Sequence, residues 1–186
     1  MKRPWQFCGV IAIVLMAVSC GGSSSLDNTV ASVYLTIEIE ENNPDIDICL
    51  QAGDISVDKM TVTSTLSNPN GTASTNQDVQ LTRWVITPSR TDGGSTASPE
   101  WSYDQSVFVP AAGVADLENY RVYPLEYLRE IPIAYLLPEN GGFDPETGNT
   151  NIRQSFELVI YGETVSGKDV ATDPVLIAFN FFCLGQ

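Results

Sequence analysis

The tightest constraint in this sequence is a two-residue rhythm. In residues 31 to 40, ASVYLTIEIE, the apolar Val33, Leu35, Ile37 and Ile39 alternate with Tyr34, Thr36, Glu38 and Glu40. Successive side chains of a β-strand point to opposite faces, so the pattern predicts a strand with one buried face. KMTVTSTL repeats the rhythm, with Met60, Val62 and Leu66 against Thr61, Thr63 and Thr65, and threonine adds β-propensity. VQLTRWVI, SVFVP and QSFELVIYGETV are further strand candidates, and PVLIAFNFFCL, apolar on both faces, predicts a central strand. No stretch carries sustained helical periodicity, and no fixed-period repeat occurs. LENYRVYPLEYLREIPIAYLL has helical spacing through Leu125, Leu128 and Tyr135, but Pro124, Pro132 and Pro138 forbid a long helix. It reads as strand, one short helical turn at most, then strand.

Between these segments, SNPNGTASTNQD, TPSRTDGGSTASP and PENGGFDPETGNTN are dense in turn-forming residues and read as loops. Many short strands with such punctuation predict an all-β sandwich or barrel.

The first twenty residues follow a different logic. Lys2 and Arg3 precede an apolar run from Phe7 to Val18, and small residues lead into Cys20. This is a signal-peptide layout, and the run falls short of the ~20 residues a membrane span needs. Ala17, Val18, Ser19 and Cys20 resemble the lipobox of bacterial lipoproteins, with Ala17 where that family usually has leucine. The resemblance implies that residues 1–19 are cleaved and that Cys20 becomes the acylated first residue, its palmitate-type chains held in the lipid bilayer. The alternative is an ordinary secretory signal cut nearby, leaving Cys20 as a thiol. Gly21 follows the cysteine where inner-membrane retention would have aspartate, so the family's sorting pattern implies the outer membrane, on its periplasmic or its exterior side. Residues 20–29, CGGSSSLDNT, read as a flexible tether, and 30–186 as one domain with a real core.

That domain resembles an immunoglobulin-like β-sandwich of about 7–9 strands. Trp84 stands mid-strand in LTRWVIT, where such folds keep a buried tryptophan, and FELVIYGETVSGKDVATDPVLIAFNFF is similar to their last two strands. DLENYRV resembles a tyrosine corner through Asp116, Tyr120 and Val122. RWVITPSRTDGG with the C-terminal strand pair also resembles small Ig-like bacterial lipoproteins of no assigned activity, which implies a fold and a location and no reaction.

Composition narrows the chemistry. The chain has no histidine, which removes Ser-His-Asp triads, Cys-His nucleophiles and histidine-bound metals. Its formal net charge is −14, and Lys2 and Arg3 leave with the leader, so the mature domain is more acidic still and repels nucleic-acid phosphate. Walker loops, nucleophile elbows and Gly-x-Gly-x-x-Gly are missing. Ser56 and Lys59 fit Ser-x-x-Lys formally, but on a strand residues three apart are expected on opposite sides. The expected function is therefore not enzymatic. The domain reads as a structural or protein-interaction module of the cell envelope, its partner another envelope protein or a second copy of itself.

A carbohydrate-binding module is the alternative, resting on Trp101 and Tyr103 in SPEWSYDQS, which share a face if extended and suit a sugar-stacking platform. The competing reading packs both rings on the core. Asp45 and Asp47 in one loop, and Asp144 and Glu146 in another, are candidate calcium ligands, since calcium accepts irregular oxygen sets; neither stretch has EF-hand spacing, and ordinary acidic loops are the competing reading. With Cys20 acylated in an oxidising compartment, Cys49 and Cys183 are left as a pair and are expected to form a disulfide, the alternatives being two thiols or a link to a partner. In DIDICL the apolar face is Ile46, Ile48 and Leu50, so Cys49 faces away and the bridge is expected at a sheet edge or in a loop.

Overall fold

The structure is a computed structural model that describes residues 32–40 and 44–184. The leader, Cys20 and the tether region fall outside the described residues.

The described chain forms nine strands: β1 (Val33–Ile39), β2 (Asp45–Asp47), β3 (Ile55–Leu66), β4 (Val79–Arg90), β5 (Trp101–Val109), β6 (Val114–Tyr123), β7 (Asn151–Thr164), β8 (Asp169–Ala171) and β9 (Val175–Phe182). They make a two-sheet β-sandwich, with β1-β3-β6 in one sheet and β2-β9-β7-β4-β5, plus β8 on β7, in the other. The first stretch of chain is divided between the sheets, because β1 pairs antiparallel with β3 while β2 pairs parallel with β9. The strand orders are those of immunoglobulin-like strands A-B-E and A′-G-F-C-C′, with no fourth strand described beyond β6. On the β1 side the sandwich is closed: Thr172 bridges Leu35, and the Asp173 N–H donates to the Leu35 carbonyl at 3.2 Å.

The core follows the alternation, with two resets. Trp84 on β4 is fully buried, its ring tilted against Tyr120 at 4.4 Å between centroids. Its indole N–H still requires an acceptor, because an unpaired buried donor costs about 1–3 kcal/mol. The β4–β5 register slips between Leu81 and Arg83, and the Gln105 carbonyl accepts from Trp84 Nε1 at 3.2 Å. In the same place β7 approaches β4 so closely that a Cβ on Gly162 would overlap the Gln80 carbonyl oxygen. The second reset lies between β3 and β6. The buried set passes from Ile55 and Val57 to Met60 and Val62 on β3, and from Leu117 to Tyr120 and Val122 on β6, across Asp58 and a left-handed Asn119 (φ 50°). Ser56 and Lys59 consequently share the outer side of the sheet, contrary to the strict alternation expected, and the Lys59 ammonium is held by Glu40 at 2.9 Å.

Several expectations are corrected. The segment after β6 contains no second strand; Leu125–Arg129, Ile133–Leu136 and Pro138–Asn140 are short 3-10 turns, and their prolines supply no ladder N–H. β9 lies between β2 and β7 but is not buried on both faces, for Ile177, Phe179 and Phe181 are buried while Leu176 is 58% exposed, and its outer neighbour is only the three-residue β2. β4 runs through Pro88 to Arg90, where a loop was expected; β5 begins opposite Ile86, so beyond it β4 pairs only with β7 and tolerates proline. Tyr120 is no tyrosine corner. It lies on β6, the E position rather than F, and its hydroxyl donates to the Gln105 side chain at 3.2 Å, not to upstream backbone.

Cys49 and Cys183 are at disulfide distance, with Cα atoms 5.2 Å apart, just past the ends of β2 and β9. The bridge is at a sheet edge, as expected, and joins two neighbours in one sheet. Leu50 is not on a buried face: β2 ends at Asp47, the chain turns, and Leu50 is 73% exposed. Substituting Cys49→Ser and Cys183→Ser together is expected to lower unfolding stability by about 2–4 kcal/mol in urea titration. An unchanged midpoint would contradict the closed bridge.

Candidate functional site

The sandwich has two ends. Strand β1 starts at the end that carries the 67–78, 110–113 and 165–168 connections, and the opposite end carries 48–54, 91–100 and 124–150. Most of the candidate residues fall at this second end.

Arg90, the last residue of β4, is buried there with its side chain 2% exposed. Its Nε donates to Asp92 Oδ1 at 2.7 Å and its Nη2 to Asp92 Oδ2 at 2.9 Å and Asp144 Oδ2 at 2.7 Å, while Nη1 reaches the Thr96 carbonyl at 3.2 Å. Gly94 lies against the guanidinium, where any Cβ would overlap it. Asp92 also accepts from the Arg153 and Gly94 N–H groups, and Asp144 from the Thr147 hydroxyl and the Glu146 N–H. Glu146 accepts from the backbone and hydroxyls of both Ser95 and Thr96. Gln154 on β7, fully buried, exchanges two hydrogen bonds with Ser98 at 2.9 and 2.7 Å. Two loops far apart in sequence are thus locked to each other and to β4 and β7.

The electrostatics agree with this geometry. Burial pushes the Asp92 and Asp144 carboxyls upward, but the bonds from Arg90 and nearby N–H and O–H donors outweigh it and leave both below their ordinary pKa. For Glu146 the Thr96 hydroxyl leads, followed by the Ser95 and Thr96 N–H groups, and the pKa falls to about 2. Asp54, exposed in part, is lowered first by the Leu125 N–H and then by Arg121, and so fastens the start of the 124–150 segment.

This arrangement argues against the calcium reading of the Asp144–Glu146 loop. Asp144 and Glu146 do lie together, but Arg90 occupies the cation's place at Asp144 and protein donors saturate Glu146. Asp45 and Asp47 sit on β2 instead, where Asp45 accepts from Asn180 at 2.9 Å and Asp47 from the Cys49 and Leu184 N–H groups. Among the described residues one group has metal-ligand spacing, Asp47 with Cys49 and Cys183, and its two sulfurs are bonded to each other.

Trp101 and Tyr103 do share a face of β5, half-buried against the core. They stack on one another at 4.3 Å rather than lying side by side in one plane, and Arg121 from β6 covers them at 4.8 and 5.5 Å from the ring centroids. The Tyr103 hydroxyl donates to the Arg121 carbonyl, and burial raises its pKa, so the phenol stays neutral. A sugar would have to displace a guanidinium from both rings. The sequence offered no sign of Arg90 as the organiser of the acidic loops; its one signal was an arginine at the edge of a run read as loop, three residues from a Gly-Gly pair.

Removing the guanidinium by Arg90→Ala leaves two buried carboxylates unpaired and is expected to cost about 3–5 kcal/mol in chemical denaturation; a cost under about 1 kcal/mol would contradict the network. Acid provides a second check. Because the folded pKa values of Asp92, Asp144 and Glu146 are depressed, the stability they contribute is complete above their ordinary values of 3.8 and 4.5, and is lost as pH falls through the folded values. Melting temperature is expected to fall mainly below about pH 4, and less steeply in Glu146→Gln. A fall concentrated between pH 7 and 5 would refute this.

Scanned against models of known families, and compared with curated proteins and with solved structures, the chain finds no match.

Proposed function

We propose that this chain is a lipid-anchored, non-catalytic envelope protein, held in the outer membrane by acylated Cys20 and displaying its β-sandwich as a structural or protein-interaction module. The observation that carries the reading is the sequence from Lys2 to Gly21, in which a charged start, a short apolar run and a small-residue approach to cysteine make an anchor and not a span. Two or more acyl chains at ~0.8 kcal/mol per buried methylene suffice for firm anchoring.

The domain supports a binding role over a catalytic one. The chain lacks histidine, and the acids that cluster at the braced end are held as carboxylates by internal donors, with pKa values moved away from neutrality. The described fold begins at β1, at the end of the sandwich opposite the ionically braced loops. The Trp101–Tyr103 pair, covered by Arg121, gives the carbohydrate alternative no support.

The test is phase partition of the protein made in its own cells. The wild type is expected in the detergent phase, and Cys20→Ala in the aqueous phase or unprocessed. Unchanged detergent partition of the variant would overturn the reading.

A further inference from the structure

The two sheets are unequal in width. One has three strands and ends at β6, whereas the facing sheet continues to β5. On the β1 side β8 closes the gap, but along the β5–β6 side the sandwich is only partly sealed. At one end of that seam Tyr103 donates to the Arg121 carbonyl at 3.0 Å and Tyr120 to Gln105 at 3.2 Å, so β6 is fastened from Tyr120 onward. Nearer the 110–113 turn nothing comparable is described. There Val107 of β5 and Ala115 and Leu117 of β6 pack on the core yet remain only half-buried.

The backbone of β6 is open along the same stretch. Ser64 N–H donates to the Gly113 carbonyl, and the register runs unbroken from Thr63↔Val114 to Lys59↔Glu118. By the antiparallel alternation, residues 113, 115 and 117 face β3, so Val114, Asp116 and Glu118 direct their N–H and C=O groups outward. Among the described residues no strand pairs with that edge. The exposed side chains beside it are Val114, Asp116 and Glu118, with Glu38 and Glu40 further along the same face and Lys59 the cation among them.

We propose that residues 114–118 of β6 form a strand-addition slot for an extended segment of a partner protein that alternates basic and apolar residues. Its backbone completes the missing ladder, its apolar residues cover Val107, Ala115 and Leu117, and its basic residues meet Asp116 and Glu118. The charge chooses the occupant. A second copy of this chain would bring the same two acids against themselves, and its net charge of −14 opposes self-association at this edge. This deepens the interaction-module reading and rests on it, but its test is independent of the lipid anchor.

The probe is the blocked peptide Lys-Val-Lys-Val-Lys-Val-Lys, with Lys-Lys-Val-Val-Val-Lys-Lys and Glu-Val-Glu-Val-Glu-Val-Glu as controls, titrated into the mature protein while amide exchange is followed by NMR. The expected result is slowed exchange, about tenfold or more, at the Val114, Asp116 and Glu118 amides, with Ala115 and Leu117 unchanged, and only for the alternating basic peptide. Val114→Pro removes one outward N–H without altering charge or the β3 ladder, and is expected to weaken binding about tenfold with melting unchanged. The slot is refuted if the three amides are already protected in the free protein, by its own N-terminal residues or by a second copy. It is equally refuted if both basic peptides bind alike without protecting them, or if no peptide protects them.

Discussion

A single guanidinium buried between two carboxylates locks together two of the three connections at one end of this molecule. Arg90 closes the longest central strand pair and simultaneously gathers the loop it begins, through Asp92 and Thr96, and the loop that precedes β7, through Asp144. Without that cation the two acids would be buried unpaired, a state costing several kcal/mol. The surrounding donors follow from the same constraint: Thr147, the Glu146 and Arg153 N–H groups and Gly94 each satisfy a lone pair that Arg90 leaves over. A protein with 23 acidic and nine basic residues thereby carries its most buried carboxylates neutralised from within.

The sandwich behind that end obeys a similar rule, in which one polar atom at the centre sets the local geometry. Trp84 fills the core, and its indole N–H needs a carbonyl that a regular β5 would have turned into the sheet ladder. The register slip opposite Leu81 and Arg83 coincides with the Gln105 carbonyl reaching it. Tyr120 then packs on the indole and uses the Gln105 side chain, which ties β6 to β5 across the seam. One irregularity serves two buried groups.

Much of this was legible in the sequence. Val33, Leu35, Met60 and Val62 are buried where alternation placed them, Trp84 is buried and β7 pairs with β9 as the immunoglobulin-like resemblance implied, and the cysteine pair was readable from the cysteine count. What escaped were events that alternation does not encode. The reset at Asp58 and Asn119 depends on a left-handed residue, which put Ser56 and Lys59 on one side. Pro88 looked like a strand breaker because the early end of β5 is invisible from β4 alone. The acidic loop at Asp144 and Glu146 resembled a cation site because its cation, Arg90, comes from 54 residues away. Long-range pairing of loop residues has no local signature, and the polar groups most important to one end of the fold were the least readable for that reason.

The proposed binding role is compatible with this internal ionic bracing: loops held by their own charges present a surface of fixed shape, at little entropic cost on association. That bracing is the central physical claim, and a double-mutant cycle on Arg90 and Asp144 addresses it most directly. If the two side chains are one unit, Arg90→Ala with Asp144→Ala costs much less than the two single changes together, with a coupling energy of about 2 kcal/mol or more in urea denaturation. Additive costs, within about 0.5 kcal/mol, would contradict it.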